Sequence, residues 1–158
     1  GGEKPEFIAR RLIILAAEDI GNAEPYALTL ANAAFDSVHK IGMPEASLVL
    51  SQAAIYLAAV PKSNASATAI ADAAKYIKKE GAGMVPLHLR NAPTNLMKNM
   101  DYGKNYIYPH SHEGAFVKEY YFPEELKKPP SFYKPKNSGR EIFLKDRLTQ
   151  LWGKRFDR

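Results

Sequence analysis

The chain has 158 residues, 46% of them hydrophobic and 25% charged, the profile of one globular domain with a core of its own, which excludes a chain disordered throughout. It contains no cysteine, which excludes a disulfide framework, a thiolate zinc site and a thiol nucleophile. The formal charge of +5 is uneven. The first 80 residues hold 8 Lys and Arg against 9 Asp and Glu, the remainder 14 against 8, so any surface for nucleic acid or an acidic partner belongs to the second half, beside the plainer reading of a solvated lysine-rich face.

The longest apolar stretches are broken by Glu18, Asp19, Asn32 and Gln52, and no basic region followed by an apolar one opens the chain. The expectation is a protein that neither crosses a membrane nor is secreted, with a cytoplasmic location. The start on Gly1-Gly2, without a methionine and directly before a helical pattern, reads as the beginning of an excised fragment.

Residues 4–80 read as four successive helices. The first follows Pro5 and runs through Phe7, Ile8, Leu12, Ile13 and Leu15 to Ile20, stopping at Gly21-Asn22; it is apolar on most sides, which predicts a central position. The second has Pro25 in its first turn and a stripe Ala27, Leu30, Ala31, Ala34, Phe35, Val38 and Ile41 at the spacing of one buried face, closed by Gly42. The third starts at Pro44, carries Ala46, Val49, Leu50, Ala53 and Leu57, and ends before Pro61. The fourth is capped by Ser63 or Asn64 and runs through Ala67, Ile70, Ala71, Ala74 and Ile77 to Gly81. Short connections and alanine-rich faces predict a compact antiparallel array with close helix axes and little room for a ligand cavity.

From residue 81 the texture changes. Met84–Leu89 is too short and too punctuated for a helix, Ala92-Pro93-Thr94 opens a short helix through Leu96, Met97 and Met100, and residues 101–135 have no sustained period. Their tyrosines and phenylalanines, such as Tyr102, Tyr106, Phe116 and Tyr121, are the expected anchors of an irregular extension laid over the bundle, with one helical turn at Pro123–Leu126. A last helix runs from Ser138-Gly139 through Leu148 and Trp152. The organisation expected is one all-α domain over 1–158: a four-helix core (1–80), a loop-rich extension (81–137) and a terminal helix (138–155).

Catalytic signatures are missing. No G-x-x-x-x-G-K-[ST] is present, the Gly103-Lys104 and Gly153-Lys154 pairs lacking both the earlier glycine and the following hydroxyl, so no ATP site of that kind is expected here. His110-Ser111-His112-Glu113 would reach a metal only from an extended strand, and the plainer role is a turn in which His110 bonds a backbone carbonyl. Glu18 and Asp19 diverge by about 100° on a helix and cannot serve one substrate, whereas Arg11 and Glu18 share a face and suit an internal ion pair. No catalytic, cofactor or metal residue is assigned. Leu89–Lys98 mixes cations, amides and a helix start, the inventory of a phosphate or acidic-peptide contact, or else of a structured loop capped by Asn91 or Thr94. Arg90, Lys98, Lys104 and Lys118 are the candidate contacts to DNA or a partner.

Several blocks together resemble the C-terminal part of the replication-associated recombination protein A family, the maintenance-of-genome-stability AAA+ ATPases, whose relatives include the Werner-helicase-interacting protein. They are Ala9–Leu12, Ala17–Ala23, Ala59–Asn64, Val85–Thr94, Gly103, Tyr106, Tyr108–His110 and Tyr121–Pro123, covering nearly the whole chain; Asn95 departs, standing where many relatives are expected to carry lysine. The resemblance implies a helical oligomerisation domain like a clamp-loader collar, assembling as a homotetramer. It further implies a DNA-dependent ATPase acting in replication, recombination and repair at stalled forks, with ATP and magnesium bound upstream and none in this fragment, and fork proteins and DNA as partners, near the nucleoid. The alternative is a free-standing basic nucleic-acid-binding module.

Overall fold

The computed structural model describes residues 2–126 and 129–153, and among them the chain is all helix and turn, without a strand. The last two residues of the expected terminal helix, 154 and 155, lie outside the described residues. No helix among those described is long and apolar enough to cross a membrane.

Helix α1, Pro5–Leu15, starts on a proline whose missing N–H has no partner to lose in the first turn. It does not continue to Ile20 as an α-helix. Residues Ala16–Ile20 widen into a π-helical turn, closed by the Gly21 N–H donating to Ala16 O, and a 3-10 turn Gly21–Ala23 follows. The π-turn leaves Ala17, Glu18 and Asp19 exposed between buried Ala16 and Ile20. Arg11 and Glu18 are both exposed and no ion pair joins them, so that expectation is corrected: the change of helix type falls between them and alters the spacing on which it rested.

Helices α2 (Tyr26–Ile41), α3 (Ala46–Ala59) and α4 (Ala65–Glu80) fall where the apolar spacing and the Pro and Gly stops put them. Two compact units emerge, Gly1–Ala74 with Phe132–Leu148, and Lys75–Ser131 with Thr149–Arg158. In the first, α1, α2 and α3 pack on one another pairwise. Their buried core is built mostly of alanine: Ala16, Ala27 and Ala31 around Ile20 and Leu57, and Ala9 and Ala46 beside Val38. Small side chains bring the helix axes together, and the two largest apolar core residues, Ile20 and Leu57, contribute roughly 1.5–3 kcal/mol each by burial. An alanine core also leaves large residues outside it. Phe7, Ile8 and Ile14 on α1, Leu48 and Ile55 on α3, and Ile70 and Ile77 on α4 are exposed.

The second unit is held by short turns and rings. Gly83 lies against Pro123, whose ring would meet an added Cβ at 2.4 Å. A 3-10 turn Leu87–Leu89 accepts the Gly103 N–H at Leu87 O, 2.8 Å away. The five-residue helix α5, Asn95–Asn99, is capped by Thr94, whose hydroxyl accepts the Met97 N–H at 3.3 Å. Phe116 and Tyr121 meet Trp152 edge to face at 5.1 and 6.4 Å between centroids. The turn expected at Pro123–Leu126 is present, with the Leu126 N–H donating to Pro123 O. Helix α6 spans Glu141–Trp152 and has residues in both units, as does α4.

Candidate assembly and nucleic-acid surfaces

The most enclosed polar group is Glu141, the first residue of α6 and fully buried. Its Oε2 accepts the Ser63 hydroxyl at 2.6 Å and the Lys136 backbone N–H at 2.9 Å, and its Oε1 accepts the Tyr133 hydroxyl at 2.8 Å. All three partners donate, which suits a carboxylate, and the helix N-terminus adds its own positive end. Ser63 also accepts the Ala65 N–H, and Asn22 donates to the Tyr133 oxygen at 3.3 Å. Burial, and then the bond to Glu141, push the Tyr133 phenol up to about 12, although the Asn22 bond pulls the other way. The node ties the π-turn end of α1, the start of α4 and the start of α6 into one unit.

Neighbouring residues reinforce it. Lys62 turns back over the end of α3, its ammonium donating to the carbonyls of Leu57 (2.6 Å) and Val60 (3.3 Å), where a cation meets the negative end of the helix. Lys136 reaches Asn64 at 2.5 Å and Ser138 donates to Lys62 O at 2.9 Å. Gly139 allows the closest approach: at φ +50 its Arg140 neighbour donates to Ala23 O, and an added Cβ would stand 2.2 Å from that oxygen. Ser63 and Glu141 have no imidazole beside them, so this is a fastening and not a nucleophile with its base.

The candidate cations divide into two kinds. Arg90 is engaged inside its unit, with Nε donating to Val85 O at 2.6 Å, Nη1 to the Tyr102 hydroxyl at 3.3 Å, and its guanidinium 5.1 Å from the Tyr102 ring centre. Lys104 pairs with Asp101 at 3.0 Å, both largely exposed. Lys98 on α5 and Lys118 are exposed. His88 Nε2 lies 3.2 Å from Glu119 Oε1 without a hydrogen-bonding angle. His110 forms no metal group: among the described residues no three His, Cys, Asp or Glu converge. Its ring lies instead against Tyr108, at 5.2 Å.

The first unit presents a different surface. On α3 the buried side is Ala46, Ala53 and Leu57, while Leu48, Ser51, Gln52, Ile55, Tyr56 and Ala59 line an open, almost wholly apolar groove on another side. Leu48 is 72% and Ile55 67% exposed, against 0% for Leu57 on the same helix. The spacing of Ala46, Val49, Leu50, Ala53 and Leu57 marks one face of this helix; the second face is signalled only by the all-round apolar composition of residues 46–59.

Residues 1–152 match the family model described as "MgsA AAA+ ATPase C terminal". The chain belongs to this family. It is 46% identical over 151 residues to the replication-associated recombination protein A of Haemophilus influenzae, a match covering 95% of this chain and 34% of that protein. It is 42% identical over 151 residues to the protein of the same name in Escherichia coli K12, covering 95% and 34%. It is 43% identical over 127 residues to the ATPase WRNIP1 of Dictyostelium discoideum, covering 80% and 14%. The chain thus spans about a third of the length of the curated relatives first matched. In this member of the MgsA C-terminal family, two of the blocks that carry the resemblance act as fastenings: Ser63 and Asn64 bond Glu141 and Lys136 while Lys62 closes the end of α3, and Val85 with Arg90 and Leu87 with Gly103 are joined by hydrogen bonds.

Proposed function

We propose that this chain is the assembly domain of an AAA+ ATPase that acts in DNA replication, recombination and repair at stalled forks. It joins copies of itself, four in number, through apolar faces of its first 80 residues, while ATP and magnesium belong to a part of the protein outside this chain. The replication and recombination setting rests on the names of the relatives, and the number four on the family resemblance. Association itself rests on one observation: α3 exposes Leu48 and Ile55 on a side that its own core does not use. Large apolar residues lining one open groove are the pattern of a surface covered by a partner, and a closed symmetric assembly covers it without open-ended growth.

DNA contact accompanies this role through the second half of the chain, where, of the four candidate cations, Lys98 and Lys118 are the exposed ones not engaged as Arg90 and Lys104 are. The free-standing basic module has only that charge excess in its favour. Sedimentation velocity of the wild type beside a Leu48→Glu/Ile55→Glu variant tests the assembly reading. A charged pair placed in the groove is expected to shift the protein to the monomer with its helical content unchanged; sedimentation identical to wild type rejects the groove as the contact.

A further inference from the structure

From Lys104 to His112 every second residue is cationic or aromatic: Lys104, Tyr106, Tyr108, His110 and His112, all of them exposed. Tyr106 keeps 52% and Tyr108 57% of its surface in solvent. Residues 106–108 form neither helix nor turn, and Pro109 holds Tyr108 in an extended conformation (φ −81, ψ 110), after which a 3-10 turn lays the His110 ring 5.2 Å from that of Tyr108 at 49°. Among the described residues neither tyrosine hydroxyl makes a hydrogen bond, so the rings are not spent on fastening their own unit as Tyr102 and Tyr133 are. Lys104, at the head of the row, has only the solvent-exposed Asp101 as partner, a pair weak enough to be exchanged for a phosphate.

We propose that Tyr106, Tyr108 and His110 form a stacking platform for the bases of single-stranded DNA, with Lys104 meeting the backbone. Exposed rings at alternate positions of a segment headed by a cation fit a ligand that is both polyanionic and rich in flat faces, and a single strand offers its base faces where a duplex keeps them in its own stack. Asp101 and Glu113 flank the row, which keeps the binding modest and dependent on salt. The proposal rests on the reading that the second half of the chain contacts DNA, and narrows it to one segment and one form of DNA.

The test uses the whole chain and fluorescence anisotropy of a labelled oligothymidine longer than the ~4–16 nucleotides that single-strand sites cover, beside a blunt duplex of equal length. The platform predicts tighter binding of the single strand. A Tyr106→Leu/Tyr108→Leu variant is expected to weaken that binding about tenfold or more, since stacking on one ring is worth that much per base, while Tyr106→Phe/Tyr108→Phe keeps it. Both side-chain pairs are exposed, and unchanged helical circular dichroism confirms that the variants are folded. Wild-type affinity in the leucine variant overturns the platform. If that result comes with a loss of binding on charge reversal at Lys98 and Lys118, the DNA reading stands without the platform; if the wild type binds neither oligonucleotide at about 50 mM salt, both fall.

Discussion

Glu141 and Ser63 stand 78 residues apart and meet at 2.6 Å in a buried site. Removing one partner leaves the others unsatisfied, which costs more than the bond itself contributes. Glu141→Ala is expected to lower stability by roughly 3 kcal/mol or more, and Ser63→Ala by about 1.5–3 kcal/mol. Because both act on one network the double variant should lose less than the two losses added, and strict additivity in urea denaturation would show that the bond carries no coupling. The same node gives a pH dependence. Tyr133 keeps its proton to about pH 12 in the folded protein against about 10 for an ordinary phenol, so the stability this supplies is whole below pH 10 and is lost as pH rises from 10 towards 12. Tyr133→Phe abolishes this contribution: between pH 9 and 11 the wild type should lose more stability than the variant, and equal losses contradict the assignment. None of this was legible in the sequence, because Ser63 reads as a cap of the next helix and nothing in the apolar pattern of the last helix singles out Glu141. Only the fold brings the two together.

At the scale of elements, the start and stop residues carried most of the information. Pro5, Pro25, Gly42, Pro61 and Gly81 bound the first four helices because each residue imposes a backbone requirement that acts locally. The π-turn at Ala16–Ile20 has no start or stop residue to announce it; it ends on Gly21, which at φ +50 lies so near Ser63 O that an added Cβ would come within 2.8 Å. In the second unit the short helix behind Thr94 and the turn at Pro123–Leu126 are legible, whereas its remaining turns depend on contacts such as Gly83 with Pro123 that no period announces. Gly139 is the sharpest test of an element's placement. A side chain there both strains a positive φ and strikes the Ala23 carbonyl that receives the Arg140 N–H. Gly139→Ala is expected to cost at least about 2 kcal/mol and lower the melting temperature by several degrees, whereas Gly114→Ala, also at positive φ but with open space around its Cβ, carries the backbone strain alone and should cost about half as much. Equal losses at both positions would mean that α6 is not seated against Ala23.

For the molecule as a whole, the alanine core and the exposed large residues are two sides of one distribution: close helix packing takes the small side chains inside and leaves Leu48, Ile55, Ile70 and Ile77 outside. An all-round apolar first helix followed by three helices with broad alanine-rich faces predicts surplus apolar surface in so small a bundle. The larger exposures lie on α3 and α4, and α3 is apolar on its outer side as on its inner one. The central claim, that this surface joins copies of the chain, is tested most directly by light scattering coupled to size exclusion over a hundredfold range of concentration. The account predicts a mass that rises with concentration to that of four chains; a mass of one chain at every concentration would contradict it.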